Sequence, residues 1–595
     1  MRIPLISTLV HYFKIVYGYI GKKFYILLLI FFLSGLTESF GISMLLPILK
    51  LDTITETQDT YTQAIYHFLK SVGIEVSVFS LLILLTLAFL LKGVFKFLQI
   101  YLNSYIKLSL TRDIKIDICH KYKVMKYGLY TNLSIGYLNN IVTTETGSAV
   151  GALNRYTLLI GNIIFILIYI SFAFVINWKM TTLSLLICAC LFAMLRGLSR
   201  VSRKYSILVS ETNSKIQSLL IQTIYNFKYI KATDRFNQLY KQLFKRINEN
   251  YLYEYKKAIL TAVQSSITEP ISIFFLSLLI LYHVGYLGKT VAEVMVLLLF
   301  FYKAFSYMFR FQLDWQKFNA GLGGLEVVTK ACRILNNNVE NAGTHQIATF
   351  NKRIELRALN FSYDSSQALF NIDMTIPRYK SVGIVGTSGA GKTTLFDIIT
   401  GLLIPQSGQI CIDGIEYKEL DILSLRNIIG YVTQEPVIFN DTIANNISFW
   451  ECDSQVDICR KRIENAAILA NCDKFINEAD MGYETIIGDK GVKLSGGQRQ
   501  RIAIARELFK EPEIMVFDEA TSSLDTESEM LIRQSITSMK GKRTIVIIAH
   551  RLSTVKNCDY LYVLKEGRIA EKGSFDELYG DMNSHFYSMC LSQNL

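Results

Sequence analysis

Six apolar runs dominate the first 320 residues of this 595-residue chain, each near the roughly 20 residues that cross a bilayer as a helix. They are Phe24 to Leu49, Val78 to Leu102, Tyr156 to Asn177, Lys179 to Leu198, Ala258 to Tyr282 and Val291 to Phe311. A backbone in hydrocarbon must satisfy its own hydrogen bonds, so runs of this length restrict that half of the chain to a helical membrane bundle. Composition agrees: 51% of residues are hydrophobic and only 19% charged, too apolar for an ordinary soluble or disordered chain. The run from Phe24 continues into Pro47 and is too long for a cleavable signal, so it reads as a first span.

The net charge of +12 matters less than its distribution. Bases crowd the stretches 103–155 and 196–257, whereas 52–77 holds Asp52, Glu56, Asp59 and Glu75 against Lys70. Basic loops beside membrane spans mark the cytoplasmic side, so both long basic loops, the N-terminus and everything after the sixth span are expected there. This distribution argues against a nucleic-acid-binding surface. The two long inner loops mix apolar and basic residues in a way that predicts helices continuing below the membrane. Ile3 to Ile20 reads equally well as an interfacial helix or as a frayed start of the first span. The ten cysteines contain no CxxC pair and no spacing that suggests zinc ligands or a disulfide framework, which predicts reduced thiols.

From Arg353 onward short β-rich runs alternate with helical stretches, the pattern of an α/β domain with a largely parallel sheet. The expected division is a transmembrane domain over 1–335, a linker over 336–350 and an α/β domain over 351–595.

Within that last domain, Ser381-Val-Gly-Ile-Val-Gly386-Thr-Ser-Gly389-Ala-Gly391-Lys392-Thr393-Thr394 fits GxxxxGK[ST] and reads as a buried strand, a glycine-rich turn and a helix start. Phosphates need inward-pointing N–H groups, a cation that reaches their oxygens and a hydroxyl for magnesium. The turn Gly386, Thr387, Ser388, Gly389, Ala390 and Gly391 supplies the first, Lys392 the second, and Thr393 followed by Thr394 the third. The apolar strand Ile514-Met-Val-Phe ends in Asp518-Glu519. Asp518 suits a magnesium ion held through water, and Glu519 sits where a carboxylate polarises the attacking water. About twenty residues upstream lies Leu494-Ser495-Gly496-Gly497-Gln498.

These motifs resemble those of the ABC transporters, whose nucleotide-binding domains carry LSGGQ between a Walker A and a Walker B motif, and the resemblance covers the whole chain. It implies a six-helix transmembrane domain fused to an α/β P-loop nucleotide-binding domain, and an ATPase using ATP and Mg2+. Gln434 in YVTQEP matches the Q-loop, which senses the γ-phosphate and contributes to the magnesium site; Tyr363 in LNFSYD matches the aromatic that stacks on adenine. His550 in VIIAHR matches the switch histidine, and Asp525 in SSLD the D-loop, where Ser523 replaces the more usual alanine. In this family Ser495, Gly497 and Gln498 close over ATP bound to a second domain's P-loop. One membrane domain joined to one nucleotide domain is the exporter-type half-transporter, and with no degenerate ATPase position the expected assembly is a homodimer. Coupling helices are expected near Tyr127 to Gly136 and Asn226 to Arg235.

For the cargo, the informative residues are charges inside the spans, which are costly in lipid and face a cavity or a partner. They are Glu38, Lys92, Glu269, Lys303 and Arg310. Lys303 and Arg310 lie about two helical turns apart and project from nearly one face. With Lys92 they would line a cationic wall suited to an anionic headgroup such as a diphosphate. The alternative is that Arg310 pairs with Asp314 one turn on while Lys92 snorkels to the surface. The first span and the outer segment Tyr61 to Lys70, read as a short amphipathic helix, more loosely resemble the lipid-linked oligosaccharide flippases. Glu269 places an acid beside that path. Export of a peptide, siderophore or drug-like compound is the other reading, and membrane lipids are partners in both.

Overall fold

The computed structural model describes residues 5–49, 60–71, 73, 75, 77–282, 291–340, 343–363, 366–520, 524–549 and 551–593. They separate into two bodies: Met1–Met125 with Asn132–Val339, and Lys126–Thr131 with Glu340–Leu595.

The first body is helical. It runs through α1 (Leu5–Ile20), α2 (Lys23–Ser43), α3 (Leu45–Leu49), α4 (Thr60–Ser71) and α5 (Val78–Lys123); α6 (Tyr127–Asn132) belongs, but for Asn132, to the second body, and the first resumes with α7 (Ile135–Asn140). A π-turn over Ile141–Glu145 then leads into α8 (Thr146–Ile176), followed by α9 (Trp178–Tyr225), α10 (Phe227–Ala232), α11 (Phe236–Ile280) and α12 (Val291–Asn337). Local chemistry sets several starts. The Ser77 side chain accepts from the Ser80 N–H to open α5, and Asn177 accepts from the Met180 N–H to open α9. Gly21, at φ +64°, separates α1 from α2, so the N-terminal helix is an element of its own. α5 has 46 residues, about 69 Å at 1.5 Å per residue, more than twice a bilayer's hydrocarbon thickness. α9, α11 and α12 are of similar length, and for α9 and α11, which flank the second inner loop, the inner-loop pattern predicts this.

Among the described residues, four helical stretches are long and apolar enough to cross a membrane: Lys23–Leu49, Val78–Lys123, Ile135–Ile176 and Met295–Asn337. The expected spans at 179–198 and 258–282 fall on α9 and α11, and the side chains of 183–200 lie outside the described residues, as does that of Glu269. On α5 the apolar side chains of Phe79, Leu87, Leu90 and Phe97 are exposed, the arrangement of a helix whose outer solvent is lipid.

Small residues let the helices close. A Cβ on Gly161 of α8 would fall inside the Phe31 ring of α2, and one on Gly35 of α2 would lie 2.7 Å from Ile168 of α8. Gly321 and Gly324 of α12 meet Ala152 and Ser148 of α8 in the same way. The buried core on this seam is aromatic, with Phe165 and Tyr307 stacked at 4.4 Å.

The second body begins with β1 (Arg353–Tyr363), β2 (Ser366–Pro377), β3 (Ser381–Gly386), α13 (Lys392–Ile399), β4 (Ser407–Ile412), β5 (Ile415–Glu416), α14 (Ile422–Ile428) and β6 (Ile429–Val432). Next come α15 (Ile443–Ser448), α16 (Asp457–Leu469), α17 (Asp473–Asn477), α18 (Gly496–Phe509), β7 (Ile514–Asp518), α19 (Thr526–Met539), β8 (Thr544–Ile548), α20 (Leu552–Val555), β9 (Tyr560–Lys565) and β10 (Arg568–Gly573). An antiparallel sheet, β2-β1-β4-β5, accompanies a six-stranded sheet, β10-β9-β3-β8-β7-β6, whose β9, β3, β8, β7 and β6 run parallel. β3 is buried along its whole length, so its continuous apolar run needs cover on both faces. Tyr127 of α6 packs against this body's apolar core.

The cysteine expectation needs a correction. Cys452 and Cys459, seven residues apart, form a disulfide. The turn leading into α16 brings the two together, and a pairing made by a turn leaves no motif in the spacing. Cys119, Cys332, Cys411, Cys472, Cys558 and Cys590 are free.

Candidate active site

The parallel sheet aligns the chemistry. Asp518 at the end of β7 pairs in register with Ile548 of β8, which pairs with Ile384 of β3, two residues before the glycine-rich turn. The acids and the turn therefore share the carboxyl edge of the sheet, where open α/β folds bind ligands. Gly389 and Gly391 have φ of +79° and +95°, and a Cβ on Gly391 would lie 2.8 Å from the Ala368 carbonyl. Only glycine fits there. Gly391 passes directly into α13, so the first-turn N–H groups of that helix face the turn.

A cleft of about 670 Å³ opens on this edge, lined by Ser388, Gly389, Gly391, Lys392, Thr393, Thr394, Gln434 and Glu519, with Phe370 and Gly567 among the remainder. Lys392 is buried and donates to the carbonyls of Gly386 (2.9 Å) and Thr387 (3.0 Å). Burial pulls its pKa down while Glu519 and Asp518 pull it back up. Gln434, 85 residues before Glu519 in the chain, donates from Nε2 to Glu519 Oε2 at 2.8 Å. Glu519 itself adopts φ +47°, a left-handed backbone that a β-strand's successor takes only under local constraint. Burial, assisted by Asp518, raises Asp397 on α13 to about 6.

Tyr363 ends β1 half-exposed, edge-on to Phe361, with its hydroxyl 3.5 Å from Thr394 Oγ1. It stands beside the P-loop helix without lining the cleft. His550 and Ser523 lie outside the described residues.

The signature forms a different surface. Ser495 caps α18: its Oγ accepts from the Gln498 N–H, and its own N–H donates to Gln498 Oε1. Asp525 caps α19 by accepting from the Ser528 N–H, which holds the Asp525 carboxyl below the usual range. The two helix starts dock where Gly497 has no side chain, because a Cβ there would fall inside the Ser528 side chain. Gly497→Ala should therefore push α18 from α19, costing about 1–3 kcal/mol as an overpacked contact. The check is a lower unfolding temperature together with reduced ATP hydrolysis. None of Ser495, Gly497, Gln498 and Asp525 lines the cleft.

Sequence reasoning missed the residues that brace the cleft. Gly567 accepts from the Phe370 N–H at 2.8 Å and donates to the Ala390 carbonyl at 3.2 Å, tying the glycine-rich turn to two strands. Its signal was the Glu566-Gly567 turn between two β runs. Gln500 of α18 donates to the Thr433 carbonyl beside Gln434, and Arg506 reaches the Val437 and Asn446 carbonyls. Only the folded chain brings those pairs together.

In the membrane body, Lys92 and Lys303 converge on one buried carboxylate: their Nζ atoms lie 2.8 and 2.9 Å from Glu38 Oε1. Arg310 is exposed and lies over the Tyr307 ring at 5.0 Å. Asp314 is held by Arg155 at 2.9 Å and by Asn162 at 3.0 Å. The structure thus gives Lys92 a buried ion pair and gives Asp314 partners on α8.

A multi-span helical bundle joined to a P-loop domain with a separate signature surface defines an ATP-driven membrane transporter. The profile described as ABC transporter transmembrane region matches residues 24–312, and the one described as ABC transporter matches 369–522. The chain is 31% identical over 512 residues to the heterocyst differentiation ATP-binding protein HepA of Nostoc, covering 84% of this chain and 82% of that one. It is 30% identical over 509 residues to an ATP-dependent lipid A-core flippase of Syntrophus aciditrophicus, covering 84% and 83%. A bacterial Atm1-family ABC exporter with ATP bound superposes with a TM-score of 0.78 at 23% identity, over 97% of this chain and all of that one. The chain belongs to the ABC transporter family, with the exporter fold, and it hydrolyses ATP to drive transport.

Proposed function

We propose that two copies of this chain form a flippase in the cytoplasmic membrane, with the nucleotide-binding domains in the cytoplasm, that moves an anionic, lipid-linked amphiphile such as a lipid-linked oligosaccharide. The observation that carries the cargo class is the cationic group of Lys92, Lys303 and Arg310 inside the spans, where unbalanced charge is costly without a functional partner. Relatives named for flipping lipid A-core support a lipid cargo. The separation of the signature from the cleft supports the homodimer reading, in which Ser495, Gly497, Gln498 and Asp525 of one chain complete the site that Lys392 and its neighbours begin in the other. Tyr363 stacks on the adenine at the cleft's edge, and His550 orients the γ-phosphate. Thr393, Gln434 and Asp518 are oxygen donors, as a hard cation such as Mg2+ requires, and would hold it beside the phosphates, where it neutralises charge. Glu519, positioned by Gln434, takes the proton of the attacking water.

Replacing Lys303 and Arg310 together by Gln tests the cargo. Lys92 still neutralises Glu38 in that variant, so no buried acid is left unpaired. ATP-dependent movement of a polyprenyl diphosphate across proteoliposomes should fall at least about ten-fold, the cost of losing one charge-assisted contact. Unchanged movement at normal yield would overturn the anionic-cargo reading.

A further inference from the structure

The charges around Glu38 do not balance. Glu38 on α2 is 1% exposed and meets Lys92 of α5 and Lys303 of α12 through the same oxygen. Lys96, one turn beyond Lys92, interacts electrostatically with Arg310, Glu38 and Lys92. Tyr169 of α8, wholly buried, sits beside the carboxylate, and Tyr307 carries Arg310 on its ring. Among the described residues, two ammonium groups thus share one carboxylate, with two further cations, Lys96 and Arg310, in the same region. The tie between Arg155 and Asp314 is different, a single ion pair whose second carboxylate oxygen is taken by Asn162.

Depth and exposure give the imbalance a direction. Lys92 and Lys303 lie 14 and 12 residues into helices that start at Val78 and Val291, about 20 Å along each axis and so near mid-bilayer. Their side chains are 25% and 36% exposed, against 2% for that of Glu38. The two ammonium groups are therefore more accessible than the carboxylate they share, so an approaching anion would meet them before it met Glu38.

We propose that Glu38 is a built-in competitor for the cargo's anionic headgroup: it holds Lys92 and Lys303 when the path is empty, and a phosphate or diphosphate must share or take those donors to bind. This rests on the reading of the path as one for an anionic amphiphile. An ammonium has three N–H donors, so each lysine can keep one on Glu38 while turning others to a phosphate, and Glu38 regains both lysines on release. Glu38 thereby weakens binding enough to allow departure, and it prevents two bare lysines from standing in lipid between cycles.

The test is stimulation of ATP hydrolysis in phosphatidylcholine proteoliposomes titrated with a polyprenyl diphosphate, with inorganic pyrophosphate titrated in parallel. Glu38→Gln should lower the half-stimulating concentration about ten-fold, the scale of a lost competing charge pair, and slow transport at saturation. Glu38→Asp keeps the charge and shortens the reach, so it should fold even where the amide does not and shift the midpoint the same way by a smaller factor. A response to the lipid alone assigns the headgroup to a lipid, and a response to both assigns it to the free anion as well. A midpoint that stays put or rises in the folded Glu38 variants overturns the competitor role. The pair Lys92→Gln and Lys303→Gln separates the two levels. If it abolishes stimulation while the Glu38 variants change nothing, the anionic path stands and the competitor role falls. If it leaves stimulation and its midpoint intact, the anionic path itself falls.

Discussion

Glu519→Gln should bind ATP with near-normal affinity and hydrolyse it about 100- to 10,000-fold more slowly, the range for loss of a general base. The amide has the carboxylate's shape, so Gln434 keeps a partner at the position now 2.8 Å away, and Lys392 and the glycine-rich turn keep their geometry. What disappears is the carboxylate proposed to accept the proton of the attacking water. Binding measured with a fluorescent ATP analogue and steady-state phosphate release on the same preparation separate the two effects. Turnover near that of the unaltered protein would remove Glu519 from the proton transfer, whatever happened to binding.

The second large effect concerns assembly. Ser495→Arg places a long cation at the cap of α18, where Ser495 exchanges hydrogen bonds with Gln498 and faces away from its own chain's cleft. When it is co-reconstituted in ten-fold excess with the unaltered chain, random pairing leaves few fully intact dimers. If both sites must work, activity per unaltered chain falls about ten-fold, because a symmetric dimer shares each site between two chains. Activity that tracks dilution alone would mean that each chain works by itself.

Those two predictions rest on motifs that can be read without a structure, and their legibility has a physical cause. A phosphate-binding turn compresses its requirements into nine consecutive residues, because the N–H groups, the ammonium and the hydroxyl must converge on one small anion. Hydropathy also located the start of the second span, where a polar cap marks the boundary. The run expected from Val78 starts its helix at that residue because Ser77 caps it. The inner-loop pattern predicts that α5 continues past Leu102, but its end at Lys123 was not legible, since no glycine or proline marks it.

Tertiary pairing was less legible. Arg310 and Asp314 have the spacing of a helical ion pair, yet Asp314 is held by Arg155, 159 residues earlier, because the glycine seam brings α8 against α12. Likewise Glu38, Lys92 and Lys303 sit on three helices, and no period within one helix announces that they share an oxygen. Cys452 and Cys459 are close in sequence, but only the turn before α16 decides that they meet. Charges within apolar spans were visible from the sequence; which partner each finds was not.

In the proposed cycle, ATP hydrolysis in the cleft drives an anionic amphiphile across the membrane. The most direct measurement follows a fluorescent polyprenyl diphosphate between leaflets of sealed proteoliposomes by accessibility to an added quencher, with ATP outside and Glu519→Gln as the matched control. ATP-dependent movement by the unaltered protein should saturate with lipid and fall in the Glu519 variant by about the same 100- to 10,000-fold as hydrolysis. Movement that is equally fast in that variant, or absent while the unaltered protein hydrolyses ATP, would contradict it.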